Sequence, residues 1–409
     1  MRILEGWQGE LQRNPATPAS EIIYVEGVKR YYERILRSRQ EGAPFAWAAM
    51  YAPIELFHAM GIAFLDIELH TLCNLYLEGT CESYLEAAAG HGFPVEICAL
   101  HKVTEGMSLK RDLPAPDFVI TSSQCCDLTV TFGDISRHYS RNSFILDWPF
   151  RYDEDGLNFY TREVEDLVKF LEQETGRRLD MQRLEEVMRL SEQAERLYRQ
   201  IYQLKKTVPC PLRSGDGFKQ MMAFYLLAGT PEGVSYFETV VQEMQAQIAT
   251  GQSPAGQERF RIFLSYLPPV PYMDLLDWIE QEYGAVVVMD SLSSWWLPDR
   301  LDPADPLRSL ARKGFYNVIP RQLGGPLSYW IEEVTGYIQE FRVDGAIHIN
   351  HIGCKQGAAA TRAVMDTLKR LNLPTMVLDL DMLDPSVTPR EEVVARLEEF
   401  FERLEETQR

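Results

Sequence analysis

No two cysteines in this sequence are spaced as Cys-x-x-Cys, and none falls in a zinc-finger pattern. The seven present, at 73, 81, 98, 125, 126, 210 and 354, are an odd and scattered set that does not fit a disulfide framework. Basic residues are also scarce: 41 Lys and Arg stand against 60 Asp and Glu, a formal charge of −19. A surface so negative repels polyphosphate backbones, so no nucleic-acid partner is expected. An anionic coenzyme would need a local basic pocket or helix N-termini. Long apolar runs are missing too. The most apolar stretch, Ala43 to Leu65, is broken by Pro44, Pro53, Glu55 and His58. A spanning helix needs about 20 mostly apolar residues, so no membrane span is expected. The start Met1-Arg2-Ile3-Leu4-Glu5 meets an acidic residue before any apolar run builds up; no export signal is read there, and a cytoplasmic protein with reduced thiols is expected. A Gly-x-x-x-x-Gly-Lys-Ser/Thr loop is absent, so the chain does not read as an ATPase of that type.

What is present is a globular composition, 45% apolar and 25% charged over 409 residues, long enough for two or three domains. Residues 1–90 read as a mainly helical N-terminal region, with apolar positions at helical spacing around Tyr31, Ile35 and Leu36. Over 91–160, short apolar runs bounded by Gly and Pro predict strands at Phe93–Ala99, Phe118–Thr121 and Phe144–Leu146, a first α/β domain that also takes in parts of the N-terminal region. Residues 161–255 read as a helical insertion, with Asp180 as an N-cap and Pro231 opening a new helix. The α/β rhythm resumes over 256–409, with strands predicted at Arg261–Leu264, Ala285–Met289, Ala346–Asn350 and Thr375–Asp379, and Thr388-Pro389-Arg390-Glu391 as a capping box for the last helix. The fold class is α/β: two Rossmann-like parallel-sheet domains with an N-terminal helical region and a helical insertion.

On this outline Cys98, Cys126 and Cys354 each fall at or just past the carboxyl end of a predicted strand. Ligands of open α/β sheets bind beyond those ends, where residues distant in sequence converge. Three converging thiolates suit an iron–sulfur cluster, whose irons take soft sulfur ligands. The competing reading is three small buried packing residues.

Several segments carry a family resemblance. Pro114-Ala115-Pro116-Asp117-Phe118 with Cys126-Asp127, His351-Ile352-Gly353-Cys354-Lys355, and Leu378-Asp379-Leu380-Asp381-Met382-Leu383-Asp384, preceded by Pro53-Ile54-Glu55-Leu56 and Ala59-Met60-Gly61, together resemble the 2-hydroxyacyl-CoA dehydratase family. That family includes the ATP-dependent benzoyl-CoA reductase subunits. The resemblance implies that Cys98, Cys126 and Cys354 each donate a thiolate to one [4Fe-4S] cluster, with Cys125 the rival of Cys126. Leu292 stands where a branch carrying a double cubane cluster would have a cysteine, which favours a single cube. The resemblance further implies radical chemistry: the thioester carbonyl of an acyl-CoA substrate gains a low-potential electron, and the resulting ketyl expels the neighbouring hydroxyl. A separate ATP-dependent activator protein delivers that electron, and a paralogous subunit completes a heterodimer. A dehydratase subunit is the first expectation, a benzoyl-CoA reductase subunit the second. Trp47-Ala48-Ala49-Met50, where dehydratases tend to carry hydroxyls, leaves room for an electron-relay subunit that binds no substrate; a zinc-binding structural protein is a further alternative.

Glu55 and Asp66 lie in the segment expected to face substrate and are candidate general bases, with helix capping as the plainer reading. His351 is a candidate for orienting the cluster and Lys355 for contacting coenzyme A phosphate or the cluster's charge. Asp379, Asp381 and Asp384 read as turn and cap residues rather than a cation site. His101 and Lys102 read as loop residues, and Ser293-Ser294-Trp295-Trp296 as an aromatic interface or pocket loop.

Overall fold

Among the described residues eight strands form: β1 Phe45–Ala48, β2 Ala63–Asp66, β3 Phe118–Ser122, β4 Ser143–Leu146, β5 Phe260–Tyr266, β6 Ala285–Asp290, β7 Gly345–His351 and β8 Thr375–Leu380. β1, β3 and β5 are buried along their whole length, as inner parallel strands are, while the edge strand β4 is largely exposed. The strands come from a computed structural model that describes residues 2–78, 80–139, 141–294 and 300–407. They form two four-stranded sheets, ordered β2-β1-β3-β4 and β6-β5-β7-β8, with every pairing parallel. The two orders are the same arrangement used twice. In each, winding reverses beside the first strand, which puts a topological switch point between β1 and β3 and another between β5 and β7. The α/β class with two parallel sheets and helical regions is as expected.

The N-terminal region is mostly helix, with two strands that the sequence reading did not single out. It contributes β1 and β2 to the first sheet, between helices such as Ala19–Glu41 and Ile67–Glu78. Both strands are only four residues long, inside an apolar stretch where period alone cannot separate strand from helix. The strand predicted at Phe93–Ala99 does not form. Gly92 takes a left-handed conformation, the Phe93 amide turns back to the Ala88 carbonyl, and Val95 is 78% exposed, so the run is a surface turn. It leads into helix Ala99–Lys110, which makes His101 and Lys102 helical rather than loop residues.

The segment between the sheets is helical as read: Glu154–Thr175, Met181–Leu204, Asp216–Leu227 and Pro231–Thr250. Asp180 caps the second of these, its Oδ1 accepting from the Gln182 amide at 2.9 Å and the Arg183 amide at 3.2 Å. Asp180→Ala is expected to destabilise that region by about 1 kcal/mol, read as a lower urea midpoint by circular dichroism. The last helix, Arg390–Thr407, buries Val393, Leu397, Phe400, Phe401 and Leu404 as expected. Its start departs from a capping box: the Thr388 hydroxyl donates to the Asp379 carbonyl at 2.7 Å. Among the described residues, no helix is long and apolar enough to cross a membrane.

Candidate metal centre

The two switch points face each other, and three thiol-bearing helix N-termini meet between them. Cys354 caps helix Lys355–Arg370 just past β7; its Sγ accepts from the Tyr266 hydroxyl at 2.7 Å and from the Gly357 amide at 3.5 Å. Cys98 caps helix Ala99–Lys110, with Sγ 3.2 Å from His351 Nε2. Cys126 opens helix Cys126–Tyr139 past β3; its Sγ lies 3.8 Å from the Gln356 side-chain oxygen, which Cys354 Sγ approaches to 3.9 Å. A helix N-terminus presents unpaired amides and a partial positive charge, which favour sulfur as an anion.

Small residues and strain bring these groups into contact. A Cβ on Gly353 would sit 3.0 Å from the Cys98 Cα, and one on Gly357 would lie 2.3 Å from the Tyr266 ring. Tyr266, which ends β5, has φ of +80°, and Tyr51, three residues past β1, has φ of +75°. Such angles cost a side-chain-bearing residue about 1–3 kcal/mol and persist only where surroundings impose them. In Tyr266 the result is a phenol aimed at Cys354.

One carboxylate ties the three segments together. Asp127 Oδ2 accepts from the Cys98 amide at 2.9 Å, and Lys355 Nζ reaches both Asp127 oxygens at 2.8 Å and the Glu96 carbonyl at 2.9 Å. Burial pushes the Asp127 carboxyl up, but Lys355 and the Cys98 amide hold it below its usual range. Lys355 is therefore engaged in joining the Cys98, Cys126 and Cys354 segments. His351 is buried with its Nδ1 3.4 Å from the Leu380 carbonyl, a pure acceptor; Nδ1 then carries the proton, and Nε2 is left to accept from Cys98. The histidine expected to serve the centre thus touches Cys98, not the neighbouring Cys354.

A cavity of about 80 Å³ opens at the thiols, lined by Cys98, Cys125 and Cys354 together with Glu68, His101 and Tyr266. Cys126 is exposed, on the outer side of the pair. Cys125 lies inward, 3.6 Å from His101 Nε2. A hydrogen bond from Cys125 is the largest influence on Cys126, lowering its thiol to about 7, while the same bond and then burial push Cys125 well up. Leu292 also lines this cavity.

Of the candidate bases, Glu55 is buried and held by Lys313 Nζ and by the Ser191 hydroxyl at 2.5 Å, away from the thiols. Asp66 is buried, accepts from the Leu69 amide at 3.0 Å, and is pushed up to about 7 by burial. It lines a second cavity of about 500 Å³ with Tyr31, His70 and Cys73. The carboxylate that does reach the thiol cavity is Glu68, which sequence reasoning passed over. Its Oε2 accepts from the Met50 amide at 2.8 Å; burial, with the Asp66 charge adding, pushes it up to about 8. Nothing in its neighbours Ile67 and Leu69 signals that the intervening carboxylate turns inward. Phe218 lines both cavities.

Asp381 and Asp384, just past β8, are turn residues, as read, whereas Asp379 lies within the strand, its Oδ1 accepting from the Asn350 side-chain amide at 2.6 Å. Asp381 Oδ1 accepts from the Leu383 and Asp384 amides at 3.0 and 3.1 Å, and Asp384 Oδ1 from the Ser386 amide at 3.0 Å. Trp295 and Trp296 lie outside the described residues.

Comparison with known proteins adds to this geometry. A family model described as 2-hydroxyglutaryl-CoA dehydratase, D-component, matches residues 49–404. The chain is 23% identical over 405 residues to the (R)-2-hydroxyisocaproyl-CoA dehydratase alpha subunit of Clostridioides difficile, covering 95% of this chain and 96% of that one. It is 24% identical to the (R)-phenyllactyl-CoA dehydratase alpha subunit of Clostridium sporogenes, over 86% of this chain and 87% of that one. It is 26% identical to a benzoyl-CoA reductase subunit of Thauera aromatica, over 78% of each. The family match begins just past β1 and takes in the other seven strands, the insertion between the sheets and all three thiol-bearing helices, and on that breadth the chain belongs to the 2-hydroxyglutaryl-CoA dehydratase D-component family.

Proposed function

We propose that the chain is the iron–sulfur subunit of a radical 2-hydroxyacyl-CoA dehydratase, with Cys98, Cys126 and Cys354 each giving a thiolate to one [4Fe-4S] cluster. One observation carries the reading: three thiols from distant segments, each at a helix N-terminus, gather where two switch points face each other. The donor set fits such a cluster, being all sulfur and drawn from three helix N-termini; Cys126 is held below its usual range, while burial pushes Cys98 and Cys354 up, so those two ionise on binding iron. When bound, the cluster supplies a low-potential electron and an iron without a protein ligand.

The chain's own residues then have distinct tasks. Asp127 and Lys355 hold the thiol-bearing segments in register, and His351 and Tyr266 orient Cys98 and Cys354. Met50, Leu72 and Met221 keep water from the thiol cavity. Glu68 is the proton acceptor and donor within it, its carboxyl poised near neutral pH, where such a group works best. The acyl group is assigned to the 500 Å³ cavity behind Phe218. The names of the relatives, two alpha subunits and a reductase subunit, support a heteromeric assembly with a paralogous partner. An ATP-dependent activator protein supplies the electron.

The test is turnover of the assembled enzyme with activator, ATP and a strong reductant. Many molecules of 2-hydroxyacyl-CoA dehydrated per electron delivered are expected. Two electrons consumed per product, with an aromatic acyl-CoA as the only substrate, would move the chain to the reductase branch. Absence of acyl-CoA binding would reduce it to an electron relay.

A further inference from the structure

A second constellation lies two to three turns along two of the same helices. Helix Ala99–Lys110 carries Glu105 and helix Cys126–Tyr139 carries Asp134; a third, Glu82–His91, ends on His91. At 1.5 Å per residue, Glu105 and Asp134 stand roughly 10–12 Å along their helices from Cys98 and Cys126. One ligand atom from each of His91, Glu105 and Asp134 falls within 4.8 Å of the others. His91 Nε2 is 3.0 Å from Asp134 Oδ2, and the Arg137 guanidinium, at 2.7 Å, takes the other oxygen, Asp134 Oδ1. The His91 ring also stacks on Phe93 with 6.3 Å between centroids.

Glu105 is what separates this cluster from an ordinary surface group. Its side chain is buried, and neither carboxylate oxygen finds a hydrogen-bond donor among the described residues. The group facing it is the Asp134 carboxylate, an acceptor with which Glu105 can pair only while it keeps its own proton. Burial, with the Asp134 charge adding, pushes Glu105 up to about 8. A buried carboxyl kept protonated for want of a donor has a partner to gain from a cation, on which it would ionise.

We propose that His91, Glu105 and Asp134 form a divalent transition-metal site, with Zn²⁺ the best-matched ion. One imidazole and two carboxylates neutralise the dication, and a water completes a tetrahedral shell. Donors on one tetrahedral zinc stand about 3.3 Å apart, so His91 and Asp134 need little movement and Glu105 closes from the buried side. The ion would join three helices, two of which present thiols at their N-termini.

The test is equilibrium dialysis of the reduced, anaerobically handled full chain against Zn²⁺, with metal analysis and thermal melts. Glu105→Gln, His91→Ala and Cys126→Ser are compared with the wild type. Glu105→Gln and His91→Ala are each expected to bind one zinc fewer and to lose the zinc-dependent rise in Tm; Cys126→Ser keeps that rise. Without metal, Glu105→Gln is expected to melt at or above the wild type, since it removes a carboxyl that lacks a donor. If Glu105→Gln fails to fold, His91→Ala decides, because that ring lies at the surface. Zinc uptake identical in the wild type and both site variants overturns the proposal, as does uptake that only Cys126→Ser removes.

Discussion

Cys126→Ser is expected to strip the chain of iron and sulfide after anaerobic reconstitution, whereas Cys125→Ser, one residue away, keeps about four of each. The two thiols are not equivalent. Cys126 opens its helix and shares the Gln356 side chain with Cys354, and the bond from Cys125 leaves it largely ionisable near neutral pH. Cys125 donates that bond, is pushed well up, and lies against His101. In its favour stands only its place in the cavity lining beside Cys98 and Cys354. Iron and acid-labile sulfide analysis with a visible spectrum separates the two. The reverse result would make Cys125 the ligand, and a colourless wild type would remove the cluster and the radical mechanism with it.

Lys313→Met is expected to be the most destabilising single change away from the thiols, by about 3–5 kcal/mol near neutral pH, because it leaves Glu55 charged, buried and without its cation. Lys313 Nζ also lies 3.1 Å from the Ser191 hydroxyl, so one group joins the helices Ile54–Met60, Met181–Leu204 and Pro306–Phe315. Burial pushes the Glu55 carboxyl up, but the charge of Lys313 and hydrogen bonds from Lys313 and Ser191 outweigh it and leave it below its usual range. A carboxyl depressed in the folded state stabilises above its unfolded pKa, and that contribution is lost as pH falls through the folded value. The gap between wild type and Lys313→Met is thus largest above the ordinary carboxylate range and narrows in acid. The double variant Lys313→Met/Glu55→Gln is expected to regain much of the loss, since no buried charge is left unpaired. Urea unfolding at several pH values measures both effects. A pH-independent gap that the second substitution does not shrink would assign the cost to packing instead.

The second sheet was legible in the sequence because β5, β6, β7 and β8 are apolar runs bounded by Gly, Pro or charged residues. β1 and β2 were hidden by their brevity, and Phe93–Ala99 misled because a turn of Gly, Phe and Pro has the composition of a bounded strand. Cys126 and Cys354 were placed correctly past β3 and β7, whereas Cys98 reaches the centre from a helix that follows no strand. What sequence could not supply was burial of single charged groups. Glu55 and Asp66 drew attention through their segment, yet Glu68 turns toward the thiols. The same holds for Tyr266, whose ring can lie against Cys354 only because residue 357, ninety-one positions away, is glycine. The repeated strand order is equally silent, since it resides in pairing rather than in residue identity.

The origin of the three thiols has a mechanical consequence. Cys126 opens a helix packed on β3 and β4, and Cys98 precedes a helix packed against that one, while Cys354 alone comes from the second sheet. A cluster held this way latches two halves with a single bolt on one side. Serine at 98 or 126 would loosen a hinge plate and leave the bolt seated. Serine at 354 would withdraw it, leaving side-chain contacts such as His351 against Cys98 and Lys355 against Asp127 to keep the cleft shut around the thiols.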